Sequence, residues 1–230
     1  MTFERYAIYW APPRGSGLAE FGRAWLGSDA EAGAYTLTRE HFGLPYALSQ
    51  RAVASPRRYC LHATMKAPFR LAPGRDESEL RAAMAAFASR RRRFAAGPLK
   101  LHAYGDYLTL LPETPLADLD WLAAECVVAF DAFRAPLNDA DRARRPRDLP
   151  AHQAALLGQF GYPYVLSEFR FHVTLAGPLP TAELSEVRDA LAPAVAPFCA
   201  GPLAIEELCL FGDPGGDGPF RLIERFPLPR

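Results

Sequence analysis

Apolar positions recur along this chain with two periods, two residues or three to four, and the changes between them mark its elements. Tyr6-Ala7-Ile8-Tyr9-Trp10 is an aromatic and β-branched run ended by Pro12-Pro13, which predicts a strand. Ser16 stands where it can cap a helix whose apolar residues Leu18, Phe21 and Trp25 recur at helical spacing until Gly27 stops it. Residues 28–57 follow neither period and predict an irregular excursion with short helical pieces, a candidate cover for a site. A strand through His62 comes next, and Asp76-Glu77-Ser78-Glu79 then starts a helix with Leu80, Met84 and Phe87 on one face. The arginines at 90–93 end that helix, where cations complement its dipole. Residues 99–111 predict a hairpin turning at Tyr104-Gly105-Asp106, and Thr114-Pro115 opens a helix turning Leu119, Leu122, Cys126 and Phe130 inward. Residues 142–147, broken by Pro146, form a basic loop, and residues 150–160 a helix ended by Gly161. A strand through His172, a helix from Thr181 that Pro193 should end, and strands over 203–211 and 220–226 complete the order. The glycine-rich stretch 212–218 joins the last two as a flexible loop.

Parts of this order occur twice. His62-Ala63-Thr64-Met65-Lys66-Ala67-Pro68-Phe69 is echoed by His172-Val173-Thr174-Leu175-Ala176-Gly177-Pro178-Leu179. After a helical stretch in each half, Gly97-Pro98-Leu99 is echoed by Gly201-Pro202-Leu203. The chain therefore reads as a divergent tandem repeat with an α+β fold: two similar lobes, each an antiparallel-rich sheet backed by helices. The lobes are expected around residues 58–111 and 168–226 of a single bilobal domain covering 1–230. Because a strand alternates its faces, each motif's His and Thr project from one side. Two such strands side by side gather two imidazoles and two hydroxyls around one spot, an arrangement suited to moving protons around a phosphate.

Charge and cysteine usage narrow the partners. The 230 residues carry 26 Lys and Arg against 26 Asp and Glu, and half are hydrophobic, which fits a compact protein acting on a small or short substrate. A protein that coats duplex nucleic acid would show a basic excess. Cys60, Cys126, Cys199 and Cys209 stand singly and read as thiols of a reducing compartment. With no apolar signal core at the start and no run long enough to span a bilayer, a cytoplasmic location without membrane contact is expected. No His-x-His, His-Glu-x-x-His or carboxylate cluster has metal-ligand spacing, and no Walker-type loop or Gly-x-Ser-x-Gly elbow occurs.

The paired His-x-Thr motifs resemble those of the 2H phosphoesterase superfamily. The stretches Arg58-Tyr59-Cys60-Leu61-His62-Ala63-Thr64-Met65-Lys66-Ala67-Pro68-Phe69 and Phe169-Arg170-Phe171-His172-Val173-Thr174-Leu175, with the early Trp25-Leu26-Gly27, are similar to the branch found beside phosphonate-utilisation genes. The resemblance runs from Tyr6 to Phe226. It implies a bilobal fold with a central cleft lined by both His-x-Thr strands, helices outside, no metal and no cofactor. Superfamily members act on 2′,3′-cyclic phosphates, 2′–5′ linkages and ADP-ribose 1″,2″-cyclic phosphate.

Opening a cyclic phosphodiester needs a base for the attacking water and an acid for the departing sugar oxygen, and histidine serves for both. His62 and His172 are the expected pair, in either order, with Thr64 and Thr174 donating to the non-bridging phosphate oxygens. Lys66 and Arg170 share the parity of the motif histidines and are expected to meet phosphate or a second anionic group. Tyr59 is expected to wall the pocket. His41 is a candidate lid residue, whereas His102 reads as structural and His152 as surface. The leading expectation is a metal-independent cyclic phosphodiesterase for a small ribosyl or nucleotide-type ester, connected with phosphonate metabolism. Two rivals stand beside it: RNA end processing at 2′,3′-cyclic or 2′–5′ ends, flanked by the basic stretches 90–93 and 142–147, and a non-catalytic module that binds a nucleotide or phosphonate.

Overall fold

The computed structural model describes residues 3–145 and 148–230. Its elements in chain order are β1 (Arg5–Trp10), α1 (Gly17–Leu26), β2 (Ser28–Asp29), β3 (Ala34–Tyr35), α2 (Tyr46–Val53), β4 (Ala63–Phe69) and α3 (Glu77–Ala88). There follow β5 (Phe94–Tyr104), β6 (Tyr107–Pro112), α4 (Ala117–Ala129), α5 (Asp139–Ala143) and α6 (Ala151–Phe160). The chain closes with β7 (Val173–Ala176), α7 (Thr181–Cys199), β8 (Pro202–Ile205), β9 (Glu207–Asp213) and β10 (Arg221–Pro227).

Local chemistry sets most boundaries. The Ser16 hydroxyl accepts from Ala19 N at 3.2 Å and Gly27 ends α1 in the left-handed region at φ 66°. Asp76 and Glu79 form a reciprocal capping box at the start of α3. Gly105, at φ 61°, turns the β5–β6 hairpin.

Eight strands form one sheet in the order β10-β9-β1-β4-β7-β6-β5-β8, with every neighbouring pair antiparallel. β8 and β9 are separated only by Glu206, yet β8 pairs with β5 at one edge and β9 with β1 near the other. The sheet therefore curls into a half-barrel, and backbone bonds from Arg93 N to Pro229 O (2.8 Å) and Leu228 N to Glu206 O (2.7 Å) tie its ends. α3 packs on β9 and β10, α4 on β4, and α7 on β5 and β6. β1 is buried on both faces: Tyr6, Ile8 and Trp10 join the main apolar core, while Ala7, Tyr9 and Ala11 join a second cluster with Cys209, Phe211 and Phe220. The mixed, antiparallel-rich architecture matches the expected fold class.

Several expectations are corrected. The stretches around 58–111 and 168–226 do not each fold back on themselves. The β5–β6 hairpin follows β4 in sequence but pairs beside β7, and β9–β10 follows β7 but joins the half that holds β4. The single strand expected over 203–211 is two, broken at Glu206 where the chain passes from one side of the curl to the other. Pro193 does not end its helix: α7 runs on to Cys199 with Pro193 and Pro197 inside it. Proline removes one N–H, but Leu184, Val187, Leu191 and Val195 are buried in one stripe that spans the break, so packing carries the helix through. Within 28–57, the small β2–β3 hairpin and α2 are ordered, and α2 packs against β7 and α7. Of the basic loop 142–147, residues 142–143 end α5, and Pro146 and Arg147 lie outside the described residues. Among the described residues no helix is long and apolar enough to cross a membrane.

Candidate active site

The two motif strands are neighbours at the centre of the sheet. Ala63 of β4 pairs with Val173 of β7. One step outward in this antiparallel register puts Thr64 opposite His172 and His62 opposite Thr174. Cross-strand partners project to the same face, so both histidines and both threonines are gathered on one face of the sheet. Outside contacts hold the register. Trp25 Nε1 donates to Leu175 O at 2.8 Å, docking α1 on β7. Leu179 N donates to the Asp106 carbonyl at 2.9 Å. Gly177, at φ 116°, lets the β5–β6 turn approach so closely that a Cβ there would stand 2.6 Å from Asp106 O.

Both imidazoles are wired alike. His62 Nδ1 lies 3.0 Å from Cys60 O and His172 Nδ1 lies 2.8 Å from Arg170 O, in each case the carbonyl two residues earlier. A carbonyl only accepts, so Nδ1 carries the proton and Nε2 is left with a free lone pair in the neutral ring. Thr64 Oγ1 stands 3.2 Å from His62 Nε2 and is placed to donate to it. Aiming the Cys60 carbonyl requires a left-handed backbone, φ 58°, at a non-glycine residue. That geometry is held by Phe220, whose N donates to Arg58 O at 2.7 Å and whose carbonyl accepts from the Cys60 thiol at 3.5 Å.

The surroundings of the two rings differ. Tyr9 stacks on His62 with centroids 3.9 Å apart and planes 29° apart. Burial pushes the His62 pKa down to about 4; the His172 charge adds to this, and the Cys60 hydrogen bond opposes it. The Tyr9 phenol is itself raised well above its ordinary value by burial and stays neutral.

Thr64, His172 and Thr174 open on a cavity of about 520 Å³ whose other walls include Tyr107, Tyr162 and Tyr164. Residues 28–57 contribute nothing to its lining, contrary to their expected role as a cover; the hairpin tip 104–107 and the stretch 162–172 stand there. Arg170 lies at the exposed rim, its Nη1 donating to the backbone of Ser167 and Phe169. Tyr59 lies beside the first histidine, its ring 6.1 Å from His62 and 5.0 Å from Phe220, and is not among the residues lining the cavity.

Lys66 is the main correction. Tyr9 pairs with Thr64 but Ile8 pairs with Lys66, so Met65 is an extra residue in β4, a bulge that reverses the alternation. Lys66 thus sits on the face of Ile8 and not that of Thr64. Its buried ammonium donates to Val127 O at 3.0 Å and pairs with Asp131 at 3.2 Å, and Lys66 is not among the residues lining the cavity on which His172 opens. His41 bonds Ser49 and His152 bonds Ser167, both away from the motif pair, and His102 is exposed on β5. Sequence reasoning missed Tyr9 as the ring stacked on His62; its signal was its place in a strand buried on both faces. Among the described residues no group of three His, Cys, Asp or Glu side chains is arranged to hold a metal ion.

The architecture and its paired motif strands define a protein with the fold of the 2H phosphoesterases. The chain superposes on E. coli LigT complexed with NADP+ with a TM-score of 0.51 at 14% identity, covering 100% of each chain. A further crystal structure titled phosphoesterase aligns with a TM-score of 0.48 at 14% identity, covering 99% of both. By sequence, the chain belongs to the family described as Protein of unknown function (DUF1045), whose model matches residues 64–221. It is also similar to two curated proteins, both called Ribose 1,5-bisphosphate phosphokinase PhnN. The one from Janthinobacterium sp. (strain Marseille) is 35% identical over 98% of this chain, and the one from Laribacter hongkongensis (strain HLHK9) is 37% identical over 95%. Those alignments take in 51% and 50% of the relatives, so the chain spans about half the length of the curated relatives it matches.

Proposed function

We propose that this protein opens the cyclic phosphate of a small ribosyl or nucleotide-type ester by two-histidine acid–base catalysis that requires no metal. The observation that carries this reading is the matched pair: the two His-x-Thr strands are neighbours with their motifs on one face, and each ring is fixed by Nδ1–H donation to the carbonyl two residues earlier.

His62 serves as base, because its buried, stacked ring favours the neutral form with a lone pair on Nε2. It takes a proton from water as the water oxygen attacks phosphorus. His172, on the open side of the cavity, protonates the sugar oxygen as its bond to phosphorus breaks. Thr64 and Thr174 donate to the non-bridging oxygens as charge gathers there. The product is a phosphomonoester, and the next turnover needs only proton exchange with solvent. The curated relatives' name refers to a ribose phosphate, which supports a ribosyl substrate and a place in phosphonate metabolism. Four free thiols, three of them buried, support a reducing, cytoplasmic setting.

RNA end processing is less well supported. Three of the four arginines in 90–93 are engaged elsewhere: Arg91 pairs with Glu125, Arg93 with Glu206, and Arg90 bonds the Ala86 carbonyl. The test is hydrolysis by EDTA-treated protein of 2′,3′-cyclic nucleotides, ribose 1,2-cyclic phosphate and ADP-ribose cyclic phosphate. Turnover of at least one of them, unaffected by EDTA, is expected. A requirement for added divalent metal, or no turnover with saturable binding of a nucleotide or phosphonate, would overturn the proposal.

A further inference from the structure

Lys66 leaves the site because a bulge reverses β4, but the second motif carries no such break ahead of its histidine. Burial alternates from Phe169 to Thr174: Phe169, Phe171 and Val173 are buried, and Arg170, His172 and Thr174 are more open. Arg170 therefore projects on the face of His172 and Thr174. It lines the catalytic cavity, and its own carbonyl holds His172 Nδ1 at 2.8 Å. The guanidinium is pinned at one corner, where Nη1 donates to Ser167 O at 3.1 Å and to Phe169 O at 2.5 Å. Those two bonds use both protons of Nη1. Nε and Nη2, which form the side-on edge, have no hydrogen-bond partner among the described residues, and no carboxylate there pairs with the group. Asp120 of α4 feels its charge but forms no ion pair with it. Glu168, in the same wall, accepts from Gln153 Nε2 at 2.8 Å.

We propose that the Nε–Nη2 edge of Arg170 binds a second oxyanion of the substrate, a phosphomonoester or a carboxylate, carried by the sugar whose oxygen departs toward His172. This rests on the cyclic phosphodiesterase reading and names its substrate more closely: a ribosyl cyclic phosphate with an anionic group at its far end. An in-line displacement sets water, phosphorus and leaving oxygen in one row, so the axis runs from His62, the base, to His172, the acid. His172 lines the cavity and His62 does not. Phosphorus thus sits at the closed end, and the sugar extends past His172 into the open volume of about 520 Å³. Arg170 stands on that side. It precedes His172 by two residues, about 6–7 Å along an extended chain, in the direction away from Thr174. That separation puts it beyond the phosphate held by the two threonines, where the far end of a pentose lies. The side-on fork of a guanidinium matches two oxygens of one anion. The bonds at Nη1 fix its plane before substrate arrives, so less freedom is lost on binding. The balance of the reaction is unchanged: water adds across one P–O bond of the ring, and the second anion takes no part.

The test compares wild type, Arg170→Gln and Arg170→Lys on three esters that differ at one group. They are ribose 1,2-cyclic phosphate with its free primary hydroxyl, the same ester with a 5-phosphate, and the same ester with a 5-carboxylate. Wild type should favour one anionic ester over the hydroxyl form by about tenfold in kcat/KM, the worth of one charge-assisted hydrogen bond; the preferred ester identifies the oxyanion. Arg170→Gln should bring that ratio close to one, and Arg170→Lys, which keeps the charge and lacks the fork, should keep part of it. No preference in wild type, or an equal loss on all three esters in Arg170→Gln, would overturn the proposal. Calorimetry separates this outcome from the catalytic reading. Binding of ribose 5-phosphate and of the corresponding 5-carboxylate is measured in wild type, Arg170→Gln and the His62→Ala/His172→Ala double variant. Affinity for one of them that falls about tenfold in Arg170→Gln and persists in the double variant supports the subsite even where no ester is turned over, a result that counts against the catalytic reading alone. Binding of neither, or binding unchanged in Arg170→Gln, would overturn the subsite.

Discussion

His62 and His172 share one bonding pattern, and their surroundings assign their roles. The stacked Tyr9 and the burial that pushes His62 down to about 4 keep its Nε2 unprotonated through the neutral range. The acid limb of kcat/KM for the free enzyme should therefore fall well below the ordinary imidazole value of about 6.5, toward about 4. A limb near 6.5 would reassign the base. The same shift acts on stability. Between the unfolded value of about 6.5 and the folded value of about 4, the unfolded chain binds a proton at this site that the native state does not. Stability is thus lost as pH falls through that window. Urea unfolding at pH 7 and 4.5 should show a smaller loss in His62→Asn than in wild type. An equal loss would mean that the ring titrates normally. The motif residues themselves were legible in the chain because His and Thr recur at one spacing in matched contexts. Tyr9 was not, since stacking depends on which strand lies beside β4, and that is a long-range fact.

The β4 strand shows where reading by alternation fails. His62 and Thr64 keep the expected parity, but the extra residue at Met65 turns Lys66 to the opposite face, into an ion pair with Asp131 beneath α4. A bulge leaves no mark in a hydrophobic pattern, because each residue around it remains a plausible strand residue. Lys66→Met should lower stability by about 1–3 kcal/mol through loss of the buried hydrogen bonds, with kcat/KM within about threefold of wild type. A thirtyfold or greater fall in kcat/KM at unchanged stability would return Lys66 to the site. α7 gives the complementary case. Pro193 is a breaker by local rules, yet the buried stripe from Leu184 to Val195 overrides it. Caps and turns at Ser16, Gly27, Asp76 and Gly105 were read correctly because their chemistry is local.

At the scale of the molecule, the repeat visible in the chain became one curled sheet whose halves exchange hairpins. β4 and β7 meet at its centre; β6 and β5, which follow β4 in sequence, lie beyond β7, while β9 and β10, which follow β7, lie beyond β1 on the β4 side. The main core likewise joins Leu80 and Met84 of α3 to Leu191 and Val195 of α7. Neither sequence half can complete its own sheet, so fragments 1–145 and 148–230 expressed separately should lack native circular dichroism. A half that unfolds cooperatively alone would contradict the exchange. The pairing of β4 with β7 also explains why two half-motifs make one site: it puts both His-x-Thr motifs side by side on one face. The central claim, that these two histidines do the chemistry together, is tested most directly by turnover of a cyclic ribosyl phosphate in His62→Ala, His172→Ala and the double variant. The account predicts a loss of about 10²–10⁴-fold in each single variant, with the double variant little worse than the weaker single. Either single variant retaining more than about a tenth of wild-type turnover, set against that loss, would contradict it.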